Sequence, residues 1–184
     1  MRILPLALMI LLVPSLALAH PGHDSGTFLA GAGHPLGGLD HVLAMIAVGL
    51  LAAQAGGRAL WALPVTFVGA MLAGGMLGFA GVALPAVEPA ILASIIVLGA
   101  LVALAARLPL TALVPMVALF GLAHGWAHGA EGPAEGLALY ALGFALATAA
   151  LHGAGIALGR TLSGLALRGL GGAAALGGLA LTLA

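Results

Sequence analysis

Cysteine is absent from this sequence of 184 residues, and charged and aromatic side chains are scarce. Without cysteine the chain can form neither a disulfide nor a thiolate metal site, so any metal must be held by nitrogen, oxygen or thioether sulfur. Charged residues make up 5% of the chain and the formal net charge is zero, which argues against a nucleic-acid-binding protein. So few polar residues also cannot cover the surface of a soluble domain of this length.

Hydrophobic residues are abundant instead. They make up 63% of the chain, and the mean hydropathy is +1.26. This composition predicts a protein embedded in a lipid bilayer. Thirty glycines and few aromatic residues favour closely packed transmembrane helices over a water-filled barrel. We therefore predict an all-α integral membrane protein that forms one compact bundle.

Residues 1–19 have the layout of a cleavable secretory signal peptide. Arg2 is followed by the apolar run Leu4–Val13, and Ala17-Leu18-Ala19 forms an A-x-A cleavage motif. The alternative interpretation is an uncleaved first helix.

Cleavage after Ala19 would leave a periplasmic amino-terminal segment, residues 20–33, ahead of the membrane domain. This segment would begin with His20 and contain His23. A free terminal amine beside an imidazole can chelate a metal, so these two histidines are weaker candidates for metal ligands. The alternative is a flexible tail, since chain termini are usually mobile.

Residues 34–184 contain six apolar stretches, each near the ~20 residues that cross a bilayer. Turn and helix-breaking residues separate them. We predict six membrane-spanning helices, at approximately Leu39–Ala55, Leu60–Ala80, Ala90–Ala106, Leu110–Gly129, Ala134–Leu158 and Leu165–Leu183. The first helix of each half carries histidines, so an inverted three-plus-three arrangement is a further possibility, although the halves share little residue similarity.

The charged residues indicate the orientation of these helices. The arginines after the signal fall beside the connections that follow spans one, three and five, and they are Arg58, Arg107, Arg160 and Arg168. The positive-inside rule makes that side cytoplasmic. The acidic residues fall on the opposite side, and they are Asp24, Asp40, Glu88, Glu131 and Glu135. We therefore predict a multi-pass protein of the bacterial inner membrane, with the mature amino terminus and the carboxyl terminus in the periplasm.

The run Phe120–Glu131 in span four places His124 and His128 four residues apart. Positions i and i+4 share a helix face, so both imidazoles can point at one place. Gly121, Gly125 and Gly129 form a stripe that permits another helix to approach closely. Polar groups at membrane depth are costly, which makes the pair a candidate functional site.

A second polar cluster opens span one, with His34 followed by Asp40 and His41. Since span one enters from outside and span four leaves toward it, the two clusters should meet at similar depth. Pro35 and the Gly37-Gly38 pair predict a bend that folds His34 back over this place. The predicted metal ligands are His34, Asp40, His41, His124, His128 and Glu131. Such nitrogen and oxygen ligands suit Ni²⁺, Co²⁺, Zn²⁺ or Cu²⁺.

Each of these residues also has a structural interpretation. Asp40 could be only the N-cap of span one, and His34 an interfacial loop residue. Met45, one turn below His41, could supply a thioether ligand or simply pack in the core. Glu131 could be a solvated surface group.

His152 lies deep in span five, in the cytoplasmic half of the membrane. It could be an exit-side ligand for a permeating cation or an interhelical hydrogen-bonding residue. The sequence does not distinguish these two roles.

The two motifs together resemble the HupE/UreJ family of small bacterial membrane proteins. They are His34-x5-Asp40-His41 with Met45 following, and His124-Gly125-x-Ala127-His128-Gly129-x-Glu131. The resemblance implies a nickel or cobalt permease that takes up Ni²⁺ or Co²⁺ as its substrate and has no tightly bound cofactor. It also implies a link to the maturation of hydrogenase, urease or cobalamin.

Other functions fit the sequence less well. A membrane-embedded zinc hydrolase of the H-E-x-x-H type would need a glutamate after the first histidine, but Gly125 follows His124. Glu131 or Asp40 would then have to be the base. Ser163 lies on the cytoplasmic side, far from the histidines, which argues against a serine protease. A bis-histidine haem would need ligands from two helices. No Walker motif is present for ATP hydrolysis.

Overall fold

The computed structural model describes residues 27–183, which form seven α-helices and no β-strand. The predicted signal peptide, His20 and His23 lie outside the described residues. In chain order the helices are α1 (Phe28–Gly37), α2 (Leu39–Ala55), α3 (Ala59–Phe79), α4 (Val87–Ala103), α5 (Leu110–Ala130), α6 (Leu137–Thr161) and α7 (Gly164–Leu181). The all-helical prediction is confirmed for this part of the chain.

Helices α2 to α7 coincide with the six predicted spans, and their ends differ from the predicted ends by at most 3 residues. Long apolar stretches bounded by glycine, proline and arginine were therefore sufficient to locate these helices. The largest differences are at α4 and α6, which begin at Val87 and Leu137 rather than at Ala90 and Ala134.

Helix length separates these six helices into groups. Four helices, α3, α5, α6 and α7, are each long and apolar enough to cross a membrane. Helix α4 has only 17 residues. Helices α1 and α2 pass the same test only as a pair, and their axes bend by 87° at the break between them. By length and composition, the described chain therefore has four spans, or five if the bent pair is one span.

Helix α1 is an element that the sequence did not predict. The Thr27 side chain caps it by accepting a hydrogen bond from the Ala30 amide at 3.1 Å. Two glycines let it lie directly against α6: a Cβ at Gly31 would overlap the carbonyl of Tyr140, and one at Gly143 would overlap the carbonyl of Phe28. Because packing against a distant helix holds α1 in place, its local sequence gives a weak signal.

The bundle is built largely from three helix pairs, α3 with α5, α4 with α7, and α2 with α6. The glycine stripe of α5 faces α3, where added Cβ atoms at Gly121, Gly125 and Gly129 would collide with backbone carbonyls of that helix. The prediction that this stripe admits a neighbouring helix is confirmed. Gly49 and Gly155 play the same part between α2 and α6. These contacts fix α5 closely against α3, with its histidines toward the interior.

Candidate metal-binding site

Four imidazole rings form a continuous chain at one end of the bundle. The ring centroids of His34 and His128 lie 4.6 Å apart, those of His128 and His41 4.6 Å, and those of His41 and His124 5.1 Å. The rings come from three helices, α1, α2 and α5. The predicted meeting of the two sequence motifs is therefore present in the structure, and the bend after α1 does bring His34 back to them.

His41 and His128 are joined directly, since their Nε2 atoms lie 2.6 Å apart. On its other side, His41 holds the Asp40 carboxylate, with Nδ1 and Oδ1 2.9 Å apart. A carboxylate only accepts hydrogen bonds, so Nδ1 of His41 carries the proton and its Nε2 presents a lone pair. A carboxylate behind the ring is the usual arrangement behind a metal-binding histidine.

His124 has the same arrangement with a different partner. Its Nδ1 lies 2.9 Å from the carbonyl oxygen of Phe120, one turn earlier in α5. A carbonyl oxygen also only accepts, so Nδ1 is the donor and Nε2 again presents a lone pair. That Nε2 atom is buried and has no hydrogen-bond partner among the described residues. An unpaired buried acceptor costs free energy, and a cation at this place would remove that cost.

Aromatic side chains of α6 enclose the outer part of the chain of imidazoles. The Phe144 ring lies 4.6 Å from that of His128, and the Tyr140 ring lies 5.7 Å from that of His34. Both aromatic side chains are buried. These two rings pack against the imidazoles on the side that faces α6.

Gly38 shapes the beginning of α2. It is the N-cap of α2, so Asp40 is not, and the interpretation of Asp40 as an N-cap is wrong. A Cβ on Gly38 would lie 2.5 Å from the Asp40 carboxylate oxygen and 3.0 Å from Nδ1 of His41. A glycine at this position therefore leaves room for the Asp40–His41 pair.

Glu131, a predicted ligand, and Met45, a weaker candidate, lie in different surroundings from the imidazoles. Glu131 is the C-cap of α5, and its exposed side chain makes no hydrogen bond or ion pair to any of residues 27–183. Met45 is fully buried in the hydrophobic core. His34, in contrast, belongs to α1 and packs among rings, so its interpretation as a loop residue is wrong.

The imidazoles are adjacent without yet converging on one point. Within residues 27–183, no three histidine, aspartate or glutamate side chains are arranged to hold one metal ion together. Two nitrogens bound to a metal at about 2.1 Å and at right angles lie about 3.0 Å apart. The Nε2 atoms of His41 and His128, at 2.6 Å, would therefore separate by a few tenths of an ångström when a cation enters between them. The proton that they share would then move to Nδ1 of His128, which has no hydrogen-bond partner among the described residues.

His152 lies deeper in the bundle. Its side chain is fully buried, and neither ring nitrogen has a hydrogen-bond partner among the described residues. The interpretation of His152 as an interhelical hydrogen-bonding residue is therefore wrong. The Phe67 ring lies next to both deep histidines, with ring centroids 5.1 Å from His152 and 5.4 Å from His124.

The sequence interpretation missed the residues of α6 that lie beside the histidines. Tyr140, Phe144, Thr148 and His152 recur every four residues and are all buried. Positions with this spacing share a helix face. This regular spacing is visible in the sequence. It places His152 on the same helix face as Tyr140 and Phe144, whose rings contact His34 and His128.

Comparison with known proteins agrees with the motif resemblance. The model of the family described as HupE / UreJ protein matches residues 7–181. Protein HupE of Rhizobium leguminosarum bv. viciae is 46% identical over 177 residues, which cover 93% of this chain and 92% of that protein. No solved structure matches. The chain therefore belongs to the HupE / UreJ family, which is associated with nickel and cobalt transport.

Proposed function

We propose that this protein takes up Ni²⁺ or Co²⁺ across the bacterial inner membrane. The observation that carries the proposal is the shared arrangement of His41 and His124, whose Nδ1 atoms donate to oxygen acceptors, so that Nε2 of each ring carries a lone pair that can bind a cation. His128 and His34 continue the same chain of rings. The cation is the substrate, and no tightly bound cofactor is needed.

The donor chemistry narrows the range of cations. Imidazole nitrogens with one carboxylate suit late first-row divalent metals and are poor ligands for Mg²⁺ or Ca²⁺. Within that range, affinity alone would favour Cu²⁺, so selectivity must come from geometry and supply. Membership of the HupE / UreJ family supports nickel or cobalt.

Six membrane crossings are part of this proposal. Helix α4, with 17 residues, would be about 25 Å long, slightly less than a typical hydrocarbon core. A thinner bilayer around it or charged residues at its ends can accommodate that difference. With six crossings, the arginine-bearing connections lie in the cytoplasm, and Asp40 and Glu131 face the periplasm.

The helix pairs support the three-plus-three arrangement. An inverted repeat that relates α2, α3 and α4 to α5, α6 and α7 would convert the α3–α5 pair into the α6–α2 pair. It would also convert the α4–α7 pair into itself. These are the three main pairs of the bundle. The arrangement would therefore place the histidine site of α2 and α5 at the junction of the two halves, where substrate sites of such transporters lie.

The driving force would be the electrochemical gradient of the ion. A potential that is negative inside favours entry of a divalent cation by roughly 4.6 kcal/mol per 100 mV, twice the value for one charge. Binding must also be weak enough to allow release. The shared proton between His41 and His128 would keep the empty site closed, because a cation must part the two rings to enter.

A zinc hydrolase is the competing proposal. Such an enzyme needs a carboxylate next to the metal that can act as a general base. Asp40 is already paired with His41, and Glu131 is exposed outside the chain of imidazoles. Both carboxylates therefore fit that role poorly.

Membership of the HupE / UreJ family suggests which metalloenzymes this protein would supply with metal. We propose that the imported metal serves hydrogenase, urease or cobalamin maturation, in keeping with the HupE and UreJ names. Genes for hydrogenase or urease maturation beside its gene would favour nickel, and genes for corrin synthesis would favour cobalt.

Purified protein in liposomes tests the proposal directly. Ni²⁺ and Co²⁺ entry is followed with a trapped metal-quenched fluorophore, with and without a potential that is negative inside. We expect the wild type to admit both cations faster when the potential is applied and to exclude Mg²⁺, and we expect an Asp40→Ala, His128→Ala variant to be inactive. Absence of metal entry in the wild type, together with hydrolysis of lipid or peptide, would establish the hydrolase instead.

A further inference from the structure

One face of α6 runs from the outer histidines to the deep interior of the bundle. The outer histidines are the four whose rings form the chain, His34, His41, His124 and His128. Phe144 on this face packs against His128. Thr148 follows one turn later and donates a hydrogen bond from its hydroxyl to Sδ of Met71 at 3.7 Å. His152 follows one turn after Thr148. Since each residue adds 1.5 Å, His152 lies about 12 Å further along the helix than Phe144.

His152 is costly for this protein to keep. Its side chain is 0% exposed, and both ring nitrogens lack hydrogen-bond partners within residues 27–183. An imidazole buried without a partner in an apolar bundle destabilises the fold, and an aliphatic residue of similar size would avoid that cost. Ser94 shows the usual solution for a buried polar group, because its hydroxyl bonds the Ile91 carbonyl at 2.6 Å.

Phe67 contacts both His152 and His124. Its ring packs edge-on against the His152 ring, with centroids 5.1 Å apart, and tilted against the His124 ring, with centroids 5.4 Å apart. His124 and His152 therefore each place a ring with at least one unpaired nitrogen against the same aromatic side chain. Beyond Phe67, the described structure offers His152 no carboxylate, so this second place differs chemically from the outer one.

We propose that His152 is an inner binding station for the transported cation, which reaches it after leaving the outer histidines. The inference rests on the proposed transport function. The ligand class is a late first-row divalent cation, since a neutral imidazole suits such metals. Thr148 and Met71, one turn outward on facing helices, offer a hydroxyl oxygen and a thioether sulfur along the way. Without a carboxylate, the inner station binds more weakly than the outer site, which favours release.

The test uses the full-length chain, purified in detergent and reconstituted in liposomes, with His152→Leu and His152→Asn variants. Co²⁺ is the probe, because its visible absorption reports its ligands and equilibrium dialysis counts the bound ions. Ser94→Ala is the matched control, since it also removes a buried polar group but lies on α4, a helix that carries no histidine. Size-exclusion chromatography establishes that each variant is folded.

We expect the wild type and Ser94→Ala to bind two Co²⁺ per chain at saturation. We expect both His152 variants to bind one, to keep the absorption of the outer site, and to lose at least tenfold in the initial rate of Co²⁺ entry. A folded variant with wild-type stoichiometry and rate would overturn the inference while leaving transport intact. If neither His152 variant folds, the stoichiometry of the wild type decides the question. A wild type that binds only one Co²⁺ per chain at saturation would then overturn the inference. A wild type that neither binds nor admits Co²⁺ would instead overturn the proposed function.

Discussion

The Nε2 atoms of His41 and His128 lie 2.6 Å apart, although the two residues are 87 positions apart in sequence. This contact joins α2 to α5, and Asp40 holds the far side of the His41 ring. In the proposed function, a cation would enter between the two rings and their shared proton would move to Nδ1 of His128, so the contact would be both the closed state and one half of the binding site.

Asp40→Asn should weaken cation binding without abolishing it. The amide oxygen can still accept a hydrogen bond from Nδ1 of His41, but the negative charge that strengthens His41 as a ligand is lost. We expect a 10- to 100-fold lower affinity for Co²⁺, the usual size of such an effect. Spectroscopic titration measures it, and Glu135→Gln is the control, since it removes an exposed acid of the same predicted side. Equal effects of the two substitutions would contradict the role of Asp40.

Gly38→Ala should damage the site, whereas Gly37→Ala should not. A Cβ at position 38 would displace the Asp40 carboxylate from His41, while a Cβ at position 37 meets nothing within 4 Å. Neither glycine has a positive φ, so backbone strain does not separate the two variants. We expect Gly38→Ala to lose at least tenfold in the rate of Ni²⁺ entry into liposomes, and Gly37→Ala to keep the wild-type rate. Similar rates in both variants would show that Gly38 does not shape the site.

The positions of α2 to α7 and the pairing of the two histidine motifs followed from the sequence for simple physical reasons. Apolar stretches must be helical in a membrane, and charges must lie at their ends. The i, i+4 spacing of His124 and His128 then fixes a common face. The opposite directions predicted for spans one and four place that face at the same depth as His41.

Features that depend on contact between distant helices could not be predicted in this way. Helix α1 is held against α6 by close approaches at Gly31 and Gly143, and the sequence of either helix alone does not reveal the other. The exposed position of Glu131 depends on where α5 ends, one residue beyond its predicted end. The place of Phe67 also could not be predicted, because the contacts of its ring with His124 and His152 join three helices.

Glu131→Gln should slow capture of the cation while leaving the bound state unchanged. The Glu131 carboxylate is exposed at the outer end of α5 and has no ion pair among residues 27–183, so it can attract cations at a distance without binding them in the site. We expect a several-fold lower rate of Ni²⁺ entry at low metal concentration and low ionic strength. The difference should shrink at 0.5 M salt, where charges are screened within about 4 Å.

Equilibrium titration separates capture by Glu131 from direct coordination. If Glu131 only attracts the cation, the visible absorption of bound Co²⁺ should be identical in the wild type and in Glu131→Gln, with affinities within about threefold. A changed absorption spectrum would show that Glu131 binds the metal, as the sequence motif alone had predicted. Asp40→Asn, measured in the same way, provides the reference for loss of a carboxylate inside the site.

Gly125→Ala should destabilise the bundle and the site together, whereas Gly153→Ala should do neither. Alanine favours a helix over glycine by about 0.5–1 kcal/mol, so a substitution in open space should be neutral or slightly stabilising. Gly153 has nothing within 4 Å of an added Cβ. At Gly125, the Cβ would overlap the Met71 carbonyl of α3, and such overpacking typically costs about 1–3 kcal/mol.

The Gly125 overlap can be relieved only by moving α5 away from α3, and that movement shifts His124 and His128 relative to His41. We therefore expect Gly125→Ala to lower the Tm in detergent by several degrees and to weaken Co²⁺ binding, with Gly153→Ala equal to the wild type in both measurements. A lower Tm with unchanged Co²⁺ affinity would show that the site tolerates movement of α5. That outcome would contradict the view that close packing of α5 on α3 positions the two histidines.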